Sequence, residues 1–142
     1  MRRYLVVANQ TLGGEHLADA VRDRLAAGEC TFHILVPATS PADHAVWTEG
    51  EAVAVAKKRL ERALSRFREL GAEADGEIGD PSPLEAIHDA LRDERFDEII
   101  LSTLPPGISR WLGQDLVHRV ERSVDVPVTH VVGEAEVTPG EP

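Results

Sequence analysis

Short apolar segments alternate with longer segments of helical periodicity along the chain. A continuous apolar run at residues 4–8 predicts a strand, because a strand covered on both faces needs apolar side chains in succession. The largely apolar segments 31–36, 96–101 and 126–132 predict three more strands. The mostly polar segment 72–78 predicts one more strand, suited to the edge of a sheet. The first, second and fourth strands are the most apolar, and we expect them at the centre of the sheet.

The segments between these strands have the spacing of amphipathic helices. One helix is predicted from Glu15 to Gly28, and a longer one from Glu49 to Leu70 with Gly71 as its stop. A third helix is expected to begin with Asp80 as its N-cap and Pro81 in the first helical position. The apolar stripe expected on the long helix consists of Val53, Ala56, Leu60, Ala63, Leu64, Phe67 and Leu70.

The order of elements, βαβαβαβαβ, predicts an α/β domain with one parallel sheet and helices on both faces. Such a sheet binds ligands beyond the carboxyl ends of its strands, where the winding direction reverses. Two loops rich in Gly, Pro and small polar residues lie there, one at 9–14 and one at 102–113 before the fourth helix. We expect the domain at residues 1–133 and a flexible tail at 134–142.

The composition excludes several classes of function. The 142 residues include 15 Lys and Arg against 25 Asp and Glu, a formal net charge of −10. A surface this acidic repels phosphate backbones and anionic lipids, so neither nucleic acid nor a membrane is expected as a partner. No apolar run reaches the roughly 18–20 residues that span a bilayer. The single cysteine, Cys30, cannot form an internal disulfide, and we expect a soluble cytoplasmic protein.

Several short segments together carry a family resemblance that extends over residues 4–132. In chain order they are Ala8-Asn9-Gln10-Thr11, Ile34-Leu35-Val36-Pro37, Glu69-Leu70-Gly71-Ala72-Glu73, Gly79-Asp80-Pro81, Glu85-Ala86-Ile87, Phe96-Asp97-Glu98-Ile99-Ile100-Leu101, Leu112-Gly113 and Val126-Pro127-Val128. No single segment is diagnostic. In this order and at this spacing, the chain resembles the universal stress proteins.

The resemblance implies a fold, a partner and a ligand. The implied fold is a doubly wound, Rossmann-like sheet of five parallel strands in the order 3-2-1-4-5, with the winding reversed between the first and fourth strands. The implied partner is a second copy of the chain, forming a homodimer through the last strand at 126–132. Proteins of this family, which serve the stress response, divide into those that bind ATP and those that do not.

The loop after the fourth strand departs from the pattern of the ATP-binding members. Their loop has the form G-x-x-G, nine residues, then G-[ST], and its backbone N–H groups and a helix N-terminus hold the phosphates. Here Ser102 and Pro105 stand where the leading glycines belong, and seven residues separate Pro105 from Gly113. Proline has no N–H to donate. Gln114 replaces the hydroxyl residue and Asp115 adds a negative charge, so the resemblance implies a degenerate pocket.

The candidate ligand-binding residues have alternative interpretations. Asn9 matches an aspartate that meets the nucleotide in ATP-binding members, and it either contacts a ligand or satisfies backbone groups in its turn. Ser102 and Thr103 either contact a ligand or cap the strand. Arg110 either holds an anion or is solvated, and Trp111 either lines the pocket or packs in the core or dimer. The candidate site comprises Ala8, Asn9, Gln10, Val36, Ser102, Thr103, Gly107, Arg110, Gly113 and Gln114.

No catalytic or metal-binding arrangement is recognisable in the sequence. It lacks a G-x-S-x-G elbow and the helical His motifs of zinc sites. His33 and His130 fall in strands and are expected to be packing residues, and Cys30 an ordinary thiol. The run Lys57-Lys58-Arg59 is expected on the solvated face of the long helix. The sequence therefore predicts a protein that is not an enzyme and has no metal site.

Together these features predict a universal-stress-protein-like binding and regulatory protein that does not bind ATP in the family's usual way. The sequence assigns no cofactor, and ATP or another nucleotide is the candidate ligand. Two alternatives stay open. One is an ATP-binding universal stress protein that uses Arg110 and the N–H groups around Gly113. The other is a dimeric structural adaptor whose vestigial pocket is closed by Pro105, Pro106 and Trp111.

Overall fold

The computed structural model describes residues 1–38, 49–104 and 113–133, and within them the chain forms five strands and four helices. In chain order these are β1 (Arg2–Val7), α1 (Glu15–Ala27), β2 (Cys30–Pro37), α2 (Glu49–Glu69), β3 (Glu73–Gly79), α3 (Pro83–Asp93), β4 (Glu98–Thr103), α4 (Gly113–Ser123) and β5 (Val128–Val132). The predicted tail at 134–142 lies outside the described residues.

The strands form one sheet in the order β3-β2-β1-β4-β5, and all four pairings are parallel. The order that the resemblance implied is therefore confirmed. The central strand β1 is fully buried from Leu5 to Val7, and β2 and β4 flank it as their apolar sequences predicted. The polar strand β3 lies at one edge, as predicted, because its exposed carboxylates would be costly to bury.

Alternate side chains of each central strand enter two separate cores, one on each face of the sheet. On one face, Tyr4, Val6 and Ala8 pack with residues of α1 and α2. On the other face, Leu5 and Val7 pack with residues of α3 and α4. The sheet is thus doubly wound, as predicted. Among the described helices, none combines the length and the apolar character needed to cross a lipid bilayer.

The long helix α2 buries most of its predicted apolar stripe. Ala56, Leu60, Ala63 and Phe67 lie in the core, with Phe67 in edge-to-face contact with Phe32 of β2 at 5.7 Å between ring centroids. Val53 was expected on this stripe, but it is 39% exposed, and Ala52 is buried in its place. The first turn of α2 therefore presents the smaller side chain to the core.

The start of α3 corrects the predicted N-cap. The cap is Ser82 rather than Asp80, and Pro83 rather than Pro81 stands at the start of the helix. In the segment 80–83, Asp80 and Ser82 can each cap a helix, and a proline follows each of them. The helix begins at the second of these two positions. The Asp80 carboxylate instead accepts a hydrogen bond from the Ser82 amide at 2.9 Å, which closes a local turn.

Two strands begin later than predicted, while the predicted helix stop is confirmed. The fourth and fifth strands begin at Glu98 and Val128 instead of residues 96 and 126. Phe96 and Val126 precede the paired residues of these strands and pack against the core on one face of the sheet. They are apolar because they pack in this core, not because they belong to a strand. Gly71 ends α2 with a φ of +93°, a conformation that favours glycine.

Glu98 anchors the start of β4 through ionic hydrogen bonds. Its carboxylate accepts from Arg24 of α1 at 2.6 Å and from the Thr129 hydroxyl of β5, and only 14% of the side chain is exposed. Burial raises the pKa of Glu98, but the hydrogen bonds from Thr129 and Arg24 and the charges of Arg24 and Arg2 together lower it by more. The ionised carboxylate therefore links α1, β4 and β5.

We expect Glu98→Gln to lower the free energy of unfolding at neutral pH by on the order of 1 kcal/mol, because charge-assisted hydrogen bonds become neutral ones. A carboxylate with a depressed pKa stabilises the fold above its ordinary pKa, and this contribution is lost as the pH falls through its folded pKa. Urea unfolding at neutral and acidic pH should therefore show a difference that disappears in acid. Glu61→Gln, at an exposed position of α2, is the matched control. A difference independent of pH would contradict this account.

Candidate functional site

The winding of the sheet reverses between β1 and β4, which lie side by side. The helix after β1 packs on one face and the helix after β4 on the other, and in a sheet wound in this way the candidate ligand crevice is expected beyond the carboxyl ends of these two strands. The first predicted loop, at 9–14, lies at this crevice. Gly107 and Arg110 lie outside the described residues, as do Pro105, Pro106 and Trp111. Gly113 and Gln114 begin α4.

Asn9 holds together three elements at the crevice. It is 5% exposed. Its Nδ2 donates to the Pro37 carbonyl at the end of β2 over 2.8 Å, and its Oδ1 accepts from Arg59 Nη1 of α2 over 2.6 Å. The two bonds define the orientation of the Asn9 amide, because a carbonyl can only accept a hydrogen bond and a guanidinium can only donate one. Both ends of the Asn9 side chain are thus engaged within the protein.

Arg59 is a site residue that the sequence interpretation missed. The run 57–59 was expected on the solvated face of α2, and Lys57 and Lys58 are exposed, but Arg59 is half-buried and reaches Asn9. A signal was present in the helical spacing. Arg59 follows Ala56 by three residues and precedes Ala63 by four, which places it beside the buried stripe rather than opposite it.

The hydroxyls at the end of β4 bond to side chains of neighbouring elements. Ser102 and Thr103 are both 0% exposed. The Ser102 Oγ lies 2.6 Å from the Oγ1 of buried Thr11, in the turn after β1. The Thr103 Oγ1 lies 2.6 Å from Nε2 of His130 on β5. In the described structure these hydroxyls therefore join the carboxyl ends of β1, β4 and β5.

His130 is a packing residue with a hydrogen-bonded ring, as predicted. Burial lowers its pKa, because the charged imidazolium loses water, and the nearby carboxylate of Glu121 offsets only part of that shift. His33 is also hydrogen-bonded through both ring nitrogens. Burial raises the pKa of the Cys30 thiol, which donates weakly to the Arg24 carbonyl at 3.8 Å, so Cys30 has the properties of an ordinary thiol.

The remaining predicted residues differ in accessibility. Ala8 and Val36 are fully buried in the core under α1 and α2. Gln10 is partly exposed beside Asn9. Gly133 follows β5 and packs closely against Thr11. A Cβ atom there would lie 2.9 Å from the Cβ of Thr11, so this position needs glycine for close approach. Within the described residues, no group of three His, Cys, Asp or Glu side chains is arranged to hold a metal ion.

Neither a protein-family model nor a curated protein sequence matches the chain. Solved structures do resemble it. A universal stress protein from Archaeoglobus fulgidus aligns with a TM-score of 0.65 at 15% identity, covering 92% of this chain and 93% of that chain. The universal stress protein from that organism has also been solved in complex with dAMP.

Two further solved structures extend the comparison. A universal stress protein family protein from Arabidopsis thaliana with AMP bound aligns with a TM-score of 0.62 at 16% identity, over 99% of this chain and 97% of that chain. A universal stress protein in complex with cAMP has a TM-score of 0.62 at 17% identity, over 94% and 98% of the two chains. The chain has the fold of the universal stress proteins. At identities of 15–17%, the likeness to universal stress proteins establishes the fold alone.

The Thr11–Ser102 contact predicts a measurable coupling across the crevice of this universal stress protein fold. Ser102→Ala removes the hydroxyl that partners buried Thr11, and we expect a loss of about 1–3 kcal/mol in the free energy of unfolding. Thr11→Val with Ser102→Ala removes both polar partners and should recover part of that loss. A double-mutant cycle by urea unfolding measures the interaction. Strictly additive losses would show that the two hydroxyls are not coupled.

Proposed function

We propose that the protein is a cytoplasmic binding and regulatory protein with the universal stress protein fold, and that it does not hold ATP in the usual way of that family. It acts by binding rather than by chemistry. Occupancy of the crevice would order the adjoining loops and change the surface that a partner meets. The main support for this proposal is that both polar atoms of the Asn9 side chain are hydrogen-bonded, Nδ2 to the Pro37 carbonyl and Oδ1 to Arg59.

The Asn9 contacts change what the end of β1 offers to a ligand. A carboxylate at this position would present acceptors for sugar hydroxyls. The Asn9 oxygen instead accepts a charge-assisted hydrogen bond from Arg59, and the group is buried. A nucleotide sugar would have to displace that bond before it could use the oxygen. The proposed crevice therefore favours ligand groups that accept hydrogen bonds from the Arg59 guanidinium.

The sequence of the second loop supports the same proposal. Pro105 and Pro106 supply no N–H donors where a phosphate cradle would need them, and the segment before Gly113 is two residues shorter than that of ATP-binding members. A shorter cradle with fewer donors suits fewer phosphates. The similar structures carry AMP, dAMP and cAMP, each with a single phosphate. Adenine nucleoside monophosphates are therefore the first ligands to test.

Binding can be tested with purified protein and ATP, AMP, cAMP and adenosine, by calorimetry and thermal shift. We expect no stabilisation of the wild-type chain by millimolar ATP, because Pro105 and Pro106 supply no N–H donors for a triphosphate and Arg59 occupies the Asn9 oxygen. Arg59→Ala frees that oxygen and should strengthen the binding of the adenosine sugar about tenfold, the equivalent of one hydrogen bond. Lys58→Ala, an adjacent exposed cation, is the matched control and should change nothing.

Other outcomes distinguish the alternatives. Stabilisation of the wild-type chain by ATP that disappears in Gly113→Val would identify an ATP-binding protein and overturn the proposal. No stabilisation by any nucleotide, in wild type or Arg59→Ala, together with a stable dimer would favour a structural adaptor with a vestigial pocket. Mass spectrometry of the native protein as purified reports a retained ligand and the oligomeric state together.

The proposed partner is a second copy of the chain, joined through β5. This strand is an edge of the sheet. The bonds from Ile99 N–H to the Pro127 carbonyl and from Gly133 N–H to the Thr103 carbonyl direct alternate backbone groups to β4, so the N–H groups of Val128, His130 and Val132 face outward. The Val132 carbonyl is already in contact with His16 Nδ1, at 2.7 Å. The side chain of Val132 is also exposed, at 43%. Antiparallel pairing across a two-fold axis would satisfy both features.

Val132→Pro should convert the dimer to a monomer. It removes an outward N–H from the proposed interface while leaving the bonds between β4 and β5 in place. Val132→Thr keeps that N–H and is the matched control. Light scattering coupled to size exclusion should give twice the chain mass for wild type and Val132→Thr, and the single mass for Val132→Pro. A wild-type monomer, or a dimer that survives the proline, would exclude this interface.

A further inference from the structure

His33 lies between two carboxylates at the edge of the sheet. Its Nδ1 is 2.7 Å from Asp75 Oδ1 and its Nε2 is 2.6 Å from Glu77 Oε2, both on β3. Only 10% of the His33 side chain is exposed. The imidazole also stacks on Phe96, with 5.7 Å between ring centroids and 30° between planes. Packing and hydrogen bonds therefore hold the ring in one orientation.

The two short contacts determine how many protons the ring must carry. A carboxylate accepts hydrogen bonds and donates none, whereas a neutral imidazole has one N–H and one lone pair. With both carboxylates ionised, a neutral ring would place its lone pair against a carboxylate oxygen at hydrogen-bond distance. The doubly protonated imidazolium has a donor for each contact. The geometry thus matches the charged ring.

The surrounding charges favour a cation at this position. Facing His33 are Asp75 and Glu77 from β3 and Arg3 from β1. Arg3 is in turn bonded to Asp75 at 3.1 Å and to the carboxylate of Glu94, and its amide donates to the Asp97 carboxylate. Burial raises the pKa of Asp75, but the hydrogen bonds and charge interactions with His33 and Arg3 together lower it by more. Four carboxylates thus lie around Arg3 and His33.

The two carboxylates are not held equally. Asp75 has Arg3 as a second partner, through both of its oxygens at 3.1 and 3.2 Å. For the half-exposed side chain of Glu77, the described residues supply no donor besides His33. If the ring loses one proton, the remaining N–H stays with Asp75, which Arg3 already fixes in place. The Glu77 side chain then faces a lone pair and turns to solvent.

We propose that His33 is a proton-controlled clamp on the edge strand β3, closed when both ring nitrogens are protonated and opened at Glu77 when one proton leaves. Opening loosens the part of β3 nearest the crevice. Gly79, at the end of that part, accepts from the amide of Ala38, and Pro37, the residue before Ala38, accepts from Asn9. The clamp thus couples proton concentration to the order of the crevice end of β2 and β3. It does not depend on which ligand the crevice binds.

The test uses ¹⁵N-labelled full-length protein between about pH 5 and about pH 9. Long-range ¹H–¹⁵N spectra should show His33 with both nitrogens protonated in the acidic form and with the proton on Nδ1 in the basic form. Hydrogen exchange should follow the same transition. The parallel register directs the amides of Glu77 and Gly79 to β2. When His33 loses a proton, their protection from exchange should fall about tenfold, as expected for the loss of one hydrogen bond to a charged group.

Glu77→Gln is the decisive variant, because its carboxamide can donate to the lone pair of a neutral ring. In this variant the protection of these amides from hydrogen exchange should not change when His33 loses a proton. Wild type and variant are compared at the same pH, because the intrinsic exchange rate itself depends on pH. Glu73→Gln, exposed on the same strand, is the control and should behave as wild type. A neutral His33 throughout the range, or the same step in Glu77→Gln as in wild type, would overturn the clamp.

Discussion

The rest of the structure depends on the complete burial of β1 from Leu5 to Val7 between two layers of helices. Polar groups at the end of this strand have little water to bind, so they must find partners within the protein. Asn9 does so through Pro37 and Arg59, and Thr11 through Ser102. These bonds complete the fold and at the same time occupy polar atoms that border the crevice. In the proposed function, the contacts that stabilise the fold therefore also limit which ligand groups can bind.

The two edges of the sheet have opposite chemical character. The β3 edge carries carboxylates at alternate positions, which discourage pairing with another strand and are balanced by Arg3 and His33. The β5 edge carries valines and outward backbone groups. This difference agrees with the proposed association through β5 alone. The proposed clamp at His33 lies at the opposite edge from the proposed dimer interface.

Periodicity was sufficient to predict the elements and the central strands, because each signal depends on residues within one strand or a few helical turns. The predicted boundaries of helices and strands were wrong where the local sequence allowed two boundaries equally well. The segment 80–83 offers two helix caps, and Phe96 and Val126 are apolar because they pack beneath the sheet rather than because they pair. The strand order came from the resemblance, and the parallel register confirmed it.

The sequence by itself determined the alternation of strands and helices, the polar edge strand, the glycine stop at Gly71 and the absence of a backbone N–H at Pro105. Each is a property of neighbouring residues. Tertiary structure alone decided that Arg59 binds Asn9, that Ser102 binds Thr11 and that His33 sits between two carboxylates. The partners in these contacts are 50, 91 and 42 or 44 positions apart. Such pairs meet through strand register and helix packing, which no local pattern encodes.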